Sequence, residues 1–400
     1  MIGEWEARVV SSSAHRHRRR QDESGKDTPK TNHDAKKVRL LTLWSIFRQS
    51  RKAETHSRTR AFIVLLYYLV LSATVVQAGG NTVGRAFLLI QSDTQNKILY
   101  TTLPNFDESV ANSQEEEVLT TAEPLVDDLD KPRGMALWSD GMEHWLYVYD
   151  GTSQDLVKYQ LSISGDTLAA ARVSEPVVQG LDIGGLAIDN AKNLYYIGPT
   201  GGSLTKIPFD DRTAKVELFA NNFNINAAKS LVTDALYVFW ANGATGKASG
   251  SAVKAPTKLL PATQTTYPVQ LSKNAVVSNG ICLAQGNVFW TSEGTLYVTR
   301  KNNTSPFDES KVVNSGFGNA HGCAGDSARG AIYVADETGG AVFELPVNFG
   351  DLREIRTPTK LLEVDSPTHL AVLRSSASAR RGTLTVLFFS MIAACSVLLA

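Results

Sequence analysis

The feature that most constrains this chain is a repeat. Short apolar strands recur as LLIQSD from residue 88, LYVYDG from 146, LYYIG from 194, LYVFW from 236, VFWTS from 288 and IYVADE from 332. Their mean spacing is about 49 residues, in the range of propeller blades and far above leucine-rich or hexapeptide periods. Each is followed by a turn rich in Gly, Asn, Asp, Ser and Thr, and then by a second strand, as in KILYTTL (97–103), DLVKYQL (155–161) and GAVFELP (340–346). Alternating strands joined by such turns are hairpins. A short apolar strand precedes each hairpin after the first and opens on a small residue: GMALW from Gly134, GLAID from Gly185, AKSLV from Ala228, GICLA from Gly280 and GCAGD from Gly322. A β-branched stretch such as KVELFA (215–220) or KVVNS (311–315) ends most units. Four strands per unit make a propeller blade.

The two ends of the repeat region complete each other. THLAVL (368–373) is an inner strand without a hairpin, and 87–103 is a hairpin without an inner strand. Pairing them closes the ring and removes its free edges. Five complete units and one composite unit predict an all-β, six-bladed β-propeller closed by its N- and C-terminal strands. The sequence around these strands resembles known propeller repeats. HGCAGDSARGAIYVADETGGAVFEL is similar to the NHL-type repeat. VFWTSEGTLYV resembles the YWTD repeat, with Phe289 and Ser292 in place of that motif's first and last residues. NGICL is similar to the gluconolactonase-like group, and the whole resembles the TolB-like six-bladed propellers.

The flanks are not part of that fold. Residues 1–60 carry 15 of the 40 Lys and Arg but 7 of the 40 Asp and Glu, which leaves 25 basic against 33 acidic residues beyond them. A mildly acidic body offers no basic face for nucleic acid, and HRHRRR (15–20) reads as part of a disordered basic leader. Residues 61–78 are uncharged and apolar and end on small residues before Gly79 and Gly80. They read as a signal-peptide core cleaved after Ala78, or as a retained signal anchor. The propeller is placed at 79–376. In 377–400, a short spacer with Arg380 and Arg381 leads to an apolar tail from Leu384 to Ala400. That pattern reads as a glycolipid (GPI) attachment signal acting at Ser375 or Ser376, or else as a retained membrane helix. These readings expect a secreted or cell-surface glycoprotein, membrane-bound through its tail.

Aligning the units puts Arg133, Gly184, Ala227, Asn279, His321 and Thr368 just ahead of the inner strands, at one mouth of the channel. Arg133, Asn279, His321 and Thr368 are the candidate ligand-binding residues. His321 and His369 stand at the starts of neighbouring inner strands and are the candidate acid–base pair. Resemblance to the gluconolactonase group implies a calcium site built from the Asn of an NG motif, a Glu and an Asp. Here Asn279 alone matches that set. Cys282 and Cys323 point to opposite faces of adjacent blades, so one register joins them as a disulfide and the other forbids it. Asn302 and Asn303 begin two overlapping glycosylation sequons. Gly134, Gly185 and Gly280 are expected at crowded strand starts near the axis. No HExxH, GxSxG, CxxC or paired-carboxylate motif occurs, and GATGKAS (243–249) lacks the spacing of a phosphate loop. The function expected is therefore binding or scaffolding of a protein or glycan partner. The alternative is a metal-dependent, lactonase- or esterase-like hydrolase at the channel mouth.

Overall fold

The computed structural model describes residues 85–104, 121–200, 202–219, 225–243, 252–258, 268–272, 277–304, 310–347, 352 and 355–375. The leader, the 61–78 segment and the C-terminal tail lie outside the described residues. So does Ser376, whereas Ser375 is described.

The described strands form six four-stranded antiparallel sheets. Blade two holds β4 (Pro132–Ser139), β5 (His144–Asp150), β6 (Asp155–Ser164) and β7 (Thr167–Arg172). Blade three holds β8 (Gly185–Ile188), β9 (Leu194–Ile197), β10 (Leu204–Ile207) and β11 (Val216–Phe219). Blade four holds β12 (Ala228–Thr233), β13 (Tyr237–Asn242), β14 (Ala252–Pro256) and β15 (Val269–Ser272). Blade five holds β16 (Ser278–Ala284), β17 (Asn287–Ser292), β18 (Thr295–Arg300) and β19 (Lys311–Asn314). Blade six holds β20 (Ala320–Asp326), β21 (Ala331–Asp336), β22 (Ala341–Pro346) and β23 (Thr359–Glu363). Blade one is composite: β24 (Pro367–Arg374) pairs with β1 (Ala86–Ser92), which continues into β2 (Lys97–Leu103) and β3 (Glu123–Val126). The chain is a six-bladed β-propeller, closed as its terminal strands require.

The second strand of each blade is buried on both faces, which explains its unbroken apolar character. Phe87, Tyr149, Tyr195, Phe239, Trp240, Phe289, Trp290 and Tyr333 are fully buried. They fill the wedges between blades, and Trp290 stacks on Tyr297 with ring centroids 5.6 Å apart. The inner strands β4, β8, β12, β16, β20 and β24 contact one another in a ring. Where they approach closely no side chain fits, and a Cβ on Gly325 would lie 2.0 Å from the Leu283 carbonyl oxygen. A Cβ on Gly280 would lie 2.3 Å from the His321 carbonyl oxygen, and one on Gly322 would lie 2.2 Å from that of Thr368. Gly185 is crowded as well, by Leu231. Gly134 is not: nothing lies within 4 Å of its Cβ position, and its φ of 154° is what calls for glycine there.

Candidate functional site

Register shifts build the mouth where the inner strands begin. In β4 the pairing with β5 jumps between Pro132 and Met135, so Arg133 and Gly134 together oppose one residue. The same shift occurs between Ser278 and Ile281, around Asn279, and between Ala320 and Cys323, around His321. In β12 it falls between Ala228 and Ser230, around Lys229. In blade one, Thr368 is skipped between the partners of Gln91 and Ser92. A bulge bends its strand and re-aims the extra residue. Five of the six inner strands thus carry a bulge near their start, and each bulge contains one polar side chain, from Arg133, Lys229, Asn279, His321 or Thr368. Spacing alone led to Ala227 in blade four, but the equivalent residue is Lys229. Blade three begins at Gly185 without such a shift, and Gly184 adds no side chain.

Hydrogen bonds tie the bulges of blades four, five, six and one to one another. Lys229 Nζ donates to Asn279 Oδ1 at 3.0 Å, joining blades four and five. Thr291 Oγ1 accepts from the Gly280 amide at 2.8 Å and donates to the His321 carbonyl, joining five and six. His321 Nδ1 donates to the Thr368 carbonyl at 2.9 Å, joining six and one. Thr368 Oγ1 donates to Asp93 Oδ1 at 2.7 Å. Gln91 Nε2 donates to the Pro132 carbonyl at 3.0 Å, joining one and two. Arg133, Lys229 and Asp93 remain exposed at the rim, whereas Asn279 and Thr368 are buried.

His321 and His369 do meet, edge to face, with ring centroids 5.7 Å apart. Burial holds both imidazoles neutral. The His369 pKa is pushed down to about 4, first by burial and then by His321, against the pull of Asp93 and a backbone hydrogen bond with Lys229. His321 is lowered for the same first reason, against its bond to Thr368. The channel has a volume of about 240 Å³, and its wall mixes apolar residues such as Leu186, Leu231, Ile281 and Val372 with Lys229, Thr233 and His369.

The metal implied by the gluconolactonase resemblance does not fit these residues. The oxygen of Asn279 that would coordinate calcium already accepts from an ammonium group, which would repel the ion. Among the described residues no group of three His, Cys, Asp or Glu could hold a metal. Two further carboxylates near the mouth are structural. Asp150 accepts from the amides of Asp130 and Thr152, and Asp336 from those of Gly318, Asn319 and Gly339. Each closes β5 or β21 onto the loop leading to its inner strand.

Cys282 and Cys323 are joined by a disulfide that lines the channel between blades five and six. Of the two sequon asparagines, Asn302 is exposed and Asn303 is buried.

No family model matches the sequence, and no curated protein matches it. Solved structures do share its shape. A chain of the nidogen/laminin complex superposes with a TM-score of 0.51 at 11% identity, covering 74% of this chain and all of that one. The likeness is one of fold. The periplasmic gluconolactonase of Pseudomonas aeruginosa gives a TM-score of 0.46 at 10% identity, over 73% of this chain and 100% of that chain. TolB from Acinetobacter baumannii gives 0.48 at 7% identity, over 72% and 66%.

Proposed function

We propose that this protein is a secreted or surface-anchored binding propeller that holds a protein partner over its strand-start mouth. The observation that carries the reading is the set of bulges. Five blades each place a polar residue at one opening, and those of blades four, five, six and one are linked by hydrogen bonds. Preorganised polar groups lower the cost of ordering on binding. The exposed Arg133, Lys229 and Asp93 supply both signs of charge at the rim, which favours a defined orientation of the partner. Catalysis is supported less well, because the imidazoles and carboxylates here serve the propeller's own contacts. A similarly folded chain occurs in the nidogen/laminin complex, so the fold is compatible with a protein partner.

The test is cross-linking on cells that display the full chain. Arg133→Glu with Lys229→Glu should remove a specific cross-linked partner at least tenfold while the melting temperature is kept. Met142→Glu, on the far end, should leave it in place. An unchanged set of cross-links in the double variant would rule out this mouth as the binding surface. Surface anchoring through the 377–400 segment is part of the same proposal. Phospholipase C specific for GPI should release the protein, and retention of an intact tail would refute that anchor.

A further inference from the structure

We propose that Asn302, and not Asn303, is a site of N-linked glycosylation. The inference rests on the secretory reading above. The chain contains two Asn-X-Ser/Thr sequons, and both lie in the KNNTS segment. Sequence cannot separate them; burial does. A glycosylated asparagine must carry its sugar clear of the folded surface. Asn303 is 8% exposed, its Nδ2 donates to Thr299 Oγ1 at 3.2 Å, and its backbone amide is bonded to the Arg300 carbonyl at 3.0 Å. Presenting it would tear open a packed turn. Asn302 is exposed, and so is Thr304 at the sequon's third position.

The turn itself is held firmly. The Lys301 amide donates to the Gly286 carbonyl at 3.1 Å, its Nζ pairs with Asp234 Oδ2 at 2.8 Å, and its carbonyl accepts from Lys254 Nζ at 2.9 Å. Asn302 therefore projects from a fixed base. In the transfer, the Asn302 amide nitrogen bonds to the anomeric carbon of an oligosaccharide carried on a lipid pyrophosphate. The carbon–oxygen bond to pyrophosphate breaks, the lipid pyrophosphate leaves with the electron pair, and the amide loses one proton. The Cys282–Cys323 disulfide is an independent sign of the oxidising compartment where such donors are used.

The position has a structural effect. Asn302 follows Arg300, which pairs with Asn287 at the end where the first and second strands of each blade are joined. That end lies opposite the strand-start mouth. Asp234, which holds Lys301, also caps the turn bearing Leu236, a leucine 68% exposed. A glycan on Asn302 stands beside this apolar tip and leaves the mouth open.

The experiment expresses the full chain in a eukaryotic secretory cell and compares intact masses before and after peptide N-glycosidase. The wild type should lose a glycan mass, and so should Asn303→Gln. Asn302→Gln should show no change. Thr304→Ala should also show none, because it removes the Asn302 sequon but leaves Asn303-Ala-Ser305 intact. Two results would overturn the assignment: a glycan persisting in Asn302→Gln, or an unglycosylated wild type whose non-reducing peptide map links Cys282 to Cys323. An unglycosylated wild type with free thiols at both cysteines would sink the secretory reading along with it.

Discussion

A close backbone approach between the inner strands β20 and β24 gives the sharpest quantitative test. Replacing Gly322 by Ala puts a methyl 2.2 Å from the Thr368 carbonyl oxygen, 3.0 Å from the His369 Cα and 3.1 Å from the Thr368 carbonyl carbon. All three atoms are backbone of β24, so no side chain can swing away. Relief requires β20 and β24 to separate, which stretches the 2.9 Å bond from His321 to Thr368. Overpacking costs about 1–3 kcal/mol and a weakened hydrogen bond about 1 kcal/mol, so the expected loss is about 3 kcal/mol. For a domain of about 300 residues, whose unfolding entropy is about 0.6 kcal/mol/K, that lowers the melting temperature by roughly 5 °C. Gly286→Ala is the control. It has φ +72° and nothing within 4 Å, so the strain of a left-handed alanine, about 1–2 kcal/mol, is its whole cost. Thermal unfolding of both full-length variants by circular dichroism decides the matter. A Gly322→Ala protein that melts no lower than Gly286→Ala would refute the claim that backbone contact sets the ring's diameter.

Three further outcomes are expected. Opening the Cys282–Cys323 bridge, by Cys282→Ala with Cys323→Ala, should cost about 4 kcal/mol from the freed loop between residues 41 apart; denaturant titration that finds the double variant as stable as wild type would refute this. The folded-state pKa of His369 is about 4 against about 6.5 unfolded, so the unfolded chain binds more protons between those values. Stability is complete above pH about 6.5 and falls, by about 3 kcal/mol at most, as pH drops toward about 4; His369→Gln should flatten that slope, and an unaltered pH profile of melting would count against it. Chelator, or added calcium, should leave the melting temperature unmoved, whereas a shift that disappears in Asn279→Ala would restore the metal-dependent hydrolase.

The propeller was legible because its signals are local and repeated. Each second strand announces itself by an apolar run, and the unmatched strand and hairpin at the two ends could only complete one another. Arg133, Asn279, His321 and Thr368 were found from spacing because four bulges share one register. Lys229 escaped because its bulge sits two residues beyond Ala227, out of step with the spacing that the other blades share. The two cysteines showed their spacing but not their pairing, since a shift of one residue in β16 or β20 reverses the outcome. Gly134 looked equivalent to Gly185 and Gly280, yet it meets open space and is needed for its dihedral. Exposed Met142, Phe209 and Leu236 could not be told from core residues, because burial depends on which end of a blade a turn occupies.

The pairing of β1 with β24 also decides how the molecule bears a load. Ala86 lies opposite Arg374, and the Ser375 amide bonds to the Arg85 carbonyl at 2.8 Å. Both ends of the ring therefore leave side by side, at the far end from the strand-start mouth. A force that spreads the two ends apart would unzip β1 from β24 one bond after another. A force between the chain beyond Ser375 and a partner seated on the mouth pulls β24 lengthwise, so the whole row of bonds resists at once. Optical-trap records in the two geometries should show a much higher rupture force for the second, and equal forces would contradict this topology. A propeller held by its tail is in this sense strongest along the direction in which a bound partner would pull.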